Sequence, residues 1–187
     1  NSSSANQAKG LISDFVIFNR VLSQREITQL YHLKKPVEDL AALKSNYSRT
    51  LTVAKWGGQY QTIQSAIDAI TDSSSTNRYL IEVRPGVYEE AITLSNKSYI
   101  DIIGSGGPEV TKIVQADATV LTISGTSSNI LIRGINFDIS ADTTGKTIVS
   151  LAASPNTVKL ENSYITWAGT GSSTGVSITS GSPVLKD

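Results

Sequence analysis

The sequence predicts an all-β chain whose main body is a parallel β-helix, a single-stranded solenoid with a capping helix at its N-terminal end. Three observations carry this. After an amphipathic stretch at Thr62–Ile70, every segment reads as a short strand of no more than roughly ten residues, bounded by Gly, Asn, Ser, Asp or Pro. The strands repeat: Ile100 and Ile102 are answered by Ile130 and Ile132, and these by Val158 and Leu160, while Gly104 recurs as Gly134. Phe137 maps onto Ile165, and Val120 leads to Ile148 and then to Val176, a period of 28 to 30 residues. Several short strands inside one such period mark a solenoid, because each coil buries its apolar face only against the next.

Composition agrees and excludes much else. The chain has 187 residues, 39% apolar and 17% charged, with abundant Ser, Thr and Gly. That is enough for one core and too apolar for disorder. A formal net charge of zero gives no electrostatic case for nucleic acid or for anionic lipid. No apolar run is long enough to insert in a membrane as a helix. There is no Cys and only one His, His32, which excludes Cys-based sites and multi-histidine metal sites. No cofactor and no metal are expected. Met is absent too, so the chain reads as an excerpt or processed piece of something longer.

The opening NSSSANQAKG is loop by composition. GLISDFVIFN, residues 10–19, reads as a buried strand. In LSQREITQLY, Ser23 and Glu26 form a capping box, and Leu22 with Ile27 the matching hydrophobic staple. One strand and one helix cannot fold alone. Together GLISDFVIFNRVLSQREITQLY resembles the C-terminal end of a concanavalin-like, laminin-G-like lectin jelly roll. Residues 1–32 are therefore expected to be a lectin-domain remnant, without the loops that carry sugar or calcium in that family. Residues 33–50, containing Pro36 and an apolar face at Val37, Leu40 and Ala41, read as a partly helical linker. The solenoid is assigned to residues 51–187, continuing or capped beyond them.

Within it, LTVAK is a first strand and WGGQY a Gly-rich turn. Thr62 is the N-cap of a helix whose Ile63, Ala66, Ile67 and Ile70 share one face, placed to cover the otherwise open first coil. The strands follow as YLIEV, EAITLS, YIDIIG, TKIVQA, TVLTIS, NILIRGINFDI, TIVSLAA, NTVKLENSYIT and GVSITS.

TIQSAIDAI, YLIEVRPGVYEEAITL, YIDIIGSG and NILIRGINF, in that order, resemble the N-terminal part of pectin methylesterases, and more broadly the right-handed parallel β-helices of the pectate-lyase-like superfamily. The family's GxYxE is here Gly86, Tyr88 and Glu90. That resemblance implies two glutamines for the oxyanion and two catalytic aspartates in later motifs. The stretch equivalent to the first of these, Lys146–Leu151, lacks the glutamine, and the second, Tyr164–Gly169, has neither Gln nor Asp. No catalytic residue is assigned.

The strand acids Asp101, Asp138 and Glu161 map onto Leu131, Thr166 and Arg133, so no column of carboxylates accumulates, and they read as solvated outward residues. Glu89 and Glu90 beside Tyr88 read as a structural corner, with Glu90 in a hydrogen bond. The candidates for substrate binding are two tryptophans, Trp56 and Trp167. Trp56 would stack on a sugar or, the favoured reading, pack on the cap; Trp167 is a sugar platform or an outward strand residue. Arg133 reads as a bridge between coils, and Gly104–Gly107 lacks the helix N-terminus a phosphate loop needs. Asn46 and Asn96 lie in Asn-Xaa-Ser sequons.

The expected function is a non-catalytic structural or attachment module of a large extracellular or virion protein, of the tail-fibre or appendage kind, engaging surface glycans. The alternative is a carbohydrate-active enzyme, pectinesterase-like or pectate-lyase-like, with its active site in later coils. Expected partners are a polysaccharide or cell-surface glycan, neighbouring domains of a longer chain, and other copies of itself, for instance in a trimer.

Overall fold

The computed structural model describes Lys44 and residues 46–186, apart from 143–144, 154–156 and 181–182. The strand at 10–19, the capped helix from Ser23, His32 and most of the 33–50 linker lie outside the described residues. None of the helices described is long and apolar enough to cross a membrane.

The described chain is a parallel β-solenoid of about five turns. β1 (Arg49–Val53) is followed by α1 (Ile63–Ala69), then by β2 (Tyr79–Val83), β3 (Gly86–Glu89), β4 (Ile92–Ser95) and β5 (Ile100–Gly104). β6 (Thr111–Gln115), β7 (Leu121–Gly125), β8 (Ile130–Arg133) and β9 (Asn136–Asp142) continue it. The later coils hold β10 (Thr147–Ala153), β11 (Val158–Glu161), β12 (Tyr164–Gly169), β13 (Thr174–Ile178) and β14 (Val184–Lys186). Three sheets run along the solenoid: sheet A is β1-β2-β5-β8-β11-β14, sheet B is β3-β6-β9-β12, and sheet C is β4-β7-β10-β13.

The sheets send ladders of side chains inward. Ile81, Ile102, Ile132 and Leu160 are in register on sheet A. Tyr88, Ile113, Phe137 and Ile165 are in register on sheet B, and Leu94, Ile123 and Leu151 on sheet C. All but Ile165 are buried in one continuous core. Burying each such side chain contributes about 1.5–3 kcal/mol, which a single coil could not realise.

The repeat is finer than the strand list drawn from sequence. NILIRGINFDI is two strands, split at Gly134 (φ 71°), and NTVKLENSYIT is two, split at Asn162 (φ 43°). At both places the chain turns a corner by way of the left-handed region that Gly and Asn tolerate. GVYE, within the stretch that reads as a structural corner, is a strand that opens sheet B. Val149, rather than Ile148, faces Val176, one residue from the expected register.

The cap forms as its periodicity predicts. Ile63, Ala66, Ile67 and Ile70 are fully buried, and Thr62 accepts from the Ser65 N–H at 3.3 Å. Three side chains then tie α1 to the first coil. The Glu90 carboxylate accepts from the N–H groups of Ile63 and Gln64, both at 2.8 Å. Gln64 presents its own amide to the open edge of β4, accepting from Thr93 N at 2.8 Å and donating to Thr93 O at 3.2 Å. Lys97 donates to the carbonyl of Ile70 at the helix end. The helix therefore covers the apolar end and also satisfies part of a strand edge that would otherwise be free to pair.

Candidate functional site

At the corner Val83–Leu94, Glu90 and Tyr88 are both committed to the fold. Both Glu90 oxygens are spent on the first turn of α1, where a carboxylate is also favoured by the helix dipole. Tyr88 is fully buried. Its hydroxyl donates to Arg84 O at 2.8 Å, and burial, then the nearby Glu90 charge, pushes its phenol above the ordinary value. Neither group can act as an acid or base on an external substrate.

Trp56 does not pack on the cap as expected. It is 91% exposed, in a turn where Gly58 is pressed so closely on Ala54 that a Cβ would lie 2.6 Å from its backbone nitrogen. Trp167, on β12, is 55% exposed although its register partner is the fully buried Ile139. A register shift between Trp167 and Gly169 falls there. The two tryptophans lie at opposite ends of the described solenoid, on the turn after β1 and on the last strand of sheet B, so they do not form one platform.

The acids read as solvated are in fact covered. Asp101 is 3% and Asp138 is 8% exposed, because each is the centre of a polar cluster gathered from different coils. Asp101 takes both NH2 contacts of Arg78 at 3.0 Å, the hydroxyl of Tyr47 at 2.6 Å and the N–H of Leu131 at 3.0 Å. Glu82, also buried, is paired with Arg84 at 3.1 Å and with Lys44 at 2.6 Å. Glu161 is half-buried in register with Arg133, as the repeat predicted.

The cluster with functional promise is on the outer face of sheet B. Lys112, Asn136 and Tyr164 are in register across β6, β9 and β12, and beside them run Val114, Asp138 and Thr166. Lys112 Nζ lies 3.0 Å from Asp138 Oδ2. The Thr166 hydroxyl lies 2.5 Å from Asp138 Oδ1 and 3.0 Å from Asn136 Oδ1. Tyr164, 43% exposed, donates to Glu109 at 2.8 Å. An ammonium, an amide, a hydroxyl and an exposed phenol ring thus stand in one strip, held on rigid strands. Such a strip suits a polyhydroxylated chain, by hydrogen bonds and ring contact. It does not suit acid–base chemistry, because both oxygens of Asp138 are already engaged. Sequence reasoning placed Asp138 opposite Thr166 but missed Lys112, since the β6-to-β9 coil departs from the 28-to-30-residue period.

The stretches where glutamines were sought fall on β10 and β12. Thr147–Leu151 keeps its strand and its buried Ile148, Val149 and Leu151; Tyr164–Gly169 keeps its strand and carries Tyr164, Thr166 and Trp167 outward or at the open end.

The sequence pattern of the pectinesterase family matches residues 50–166. A pectinesterase of Petunia integrifolia is 30% identical over 131 residues, 65% of this chain and 34% of that protein. A probable pectinesterase/pectinesterase inhibitor of Arabidopsis thaliana is 36% identical over 66 residues, 33% of this chain and 11% of that protein. The chain thus spans about a third or less of the curated relatives it matches. Among solved structures, a mutant pectin methylesterase in complex with a hexasaccharide aligns over 62% of this chain and 49% of that one, at 14% identity and a TM-score of 0.42. The family match starts at residue 50, so the lectin-like stretch lies outside it, and nothing in these relatives points to a virion.

Proposed function

The chain belongs to the pectinesterase family, and from that premise we propose that it serves a carbohydrate-active protein directed at pectin-like polysaccharide outside the cell. In this reading the described coils supply the scaffold and a strip that holds the polymer, Lys112, Asn136, Tyr164 and Thr166 on the outer face of sheet B. The ester chemistry is left to residues outside those described. The observation that supports it is the coincidence of the family match with the solenoid coils, together with this polar and aromatic strip on rigid strands.

One observation favours a second, non-catalytic reading, in which the coils only attach a larger protein to glycans. Lys146–Leu151 and Tyr164–Gly169 carry none of the glutamines or aspartates that the resemblance led us to seek. The two readings separate in one assay. The protein is incubated with methylated pectin, and methanol and unsaturated oligosaccharides are measured. Turnover above a heat-killed control supports the carbohydrate-active reading. A folded protein that retains pectin and releases neither product overturns it in favour of attachment.

A further inference from the structure

The outward side of a solenoid sheet normally meets solvent, and on β2 and β5 it does not. Leu80, Glu82, Asp101 and Ile103 are the outward residues there, and they are 0%, 2%, 3% and 4% exposed. Leu80 and Ile103 form a small apolar cluster of their own, separate from the solenoid core, and Tyr47 packs against it. The Tyr47 hydroxyl donates to Asp101 at 2.6 Å, and Lys44 reaches Glu82 at 2.6 Å. The backbone joins in: the N–H groups of Ser48 and Arg49 donate to Arg78 O at 3.1 and 3.4 Å. Each buried carboxylate thus has one arginine from the residues flanking β2, Arg78 or Arg84, and one partner from the segment before β1.

We propose that the outer face of β2 and β5 is a docking seat for the chain segment that precedes β1, with Tyr47 as its anchor and Lys44 as its second contact. Lys44 and residues 46–48 are then a strap fixed to the solenoid and not a free tether. Its chemistry fits this one occupant: an apolar pair receives a phenol ring, and two carboxylates, each half-neutralised by arginine, receive a hydroxyl and an ammonium. A buried carboxylate that loses a partner is costly, so the seat and the strap stabilise one another.

Hydrogen exchange followed by mass spectrometry on the 187-residue chain tests it, with Tyr47→Phe, Tyr47→Ala and Lys44→Ala beside the wild type. The wild-type amides of Tyr47 and Ser48 should exchange with strand-like protection. Tyr47→Phe, which keeps the ring and loses the hydroxyl, should speed their exchange about tenfold while the amides of β8–β11 stay unchanged. Tyr47→Ala should release the strap entirely and raise exchange in β2 and β5 as well. Free exchange at Tyr47 and Ser48 in the wild type, or protection unchanged in both Tyr47 variants, overturns the docking. Should Tyr47→Ala prove unfolded, the Tyr47→Phe and Lys44→Ala chains alone decide.

Discussion

At Glu90 the carboxylate nearest the sequence's most suggestive corner turns out to be a helix cap. Two backbone N–H groups of α1 end on its two oxygens, so Glu90→Ala should lower stability by about 1–3 kcal/mol. Urea unfolding followed by circular dichroism measures this; an unchanged midpoint would remove Glu90 from the cap. Gly104 is a second single-residue constraint. A Cβ there would lie 2.1 Å from the carbonyl oxygen of Gly134, which strands one coil apart cannot relieve without moving backbone. Gly104→Ala should therefore cost at least about 3 kcal/mol, read from the same unfolding curves. Tyr47 gives a pH signature. Burial first, then its bond to Asp101, holds the phenol well above its ordinary value, against the lowering effect of Arg78. A group whose folded pKa is raised contributes fully below its unfolded pKa, about 10 for a phenol, and loses that contribution as pH rises above it. The wild type should lose stability above about pH 10 more steeply than Tyr47→Phe. Matching alkaline slopes would contradict the buried hydroxyl.

At the scale of elements, what could be read in the sequence was whatever repeats locally. The helix face at Ile63, Ala66, Ile67 and Ile70 and the cap at Thr62 are local signals, and both stand in the structure. Ile67→Ala should cost about 2–5 kcal/mol, because it opens a cavity between α1 and the first coil; calorimetry or urea unfolding reports it. The corners at Gly134 and Asn162 were not legible. At Gly134 the apolar spacing slips from two to three between Ile132 and Ile135 before Phe137 resumes it, too slight a signal to separate from the runs on either side, and the positive φ angles show that one apparent strand is two. Gln64 was equally hidden. On a helix it looks like any exposed polar residue, and its role in pairing Thr93 exists only once β4 lies beside it.

For the whole molecule, the 28-to-30-residue period carried the fold, the family motifs carried the kinship, and neither carried the site. Asp101 and Asp138 were read as solvated because alternation says only which side of a strand a residue faces. It cannot say that Arg78 and Tyr47, or Lys112 and Thr166, arrive from other coils to cover them. The same limit misplaced Trp56, whose exposure depends on a turn fixed by Gly58. The claim that binds fold to function is that the outer face of sheet B meets polysaccharide. Isothermal titration of the 187-residue chain with oligogalacturonides, repeated with Lys112→Ala and Tyr164→Ala, tests it most directly. Saturable binding in the wild type, weakened about tenfold or more by either substitution, is the predicted result. Absent binding by the folded wild type, or binding that neither substitution alters, would contradict it.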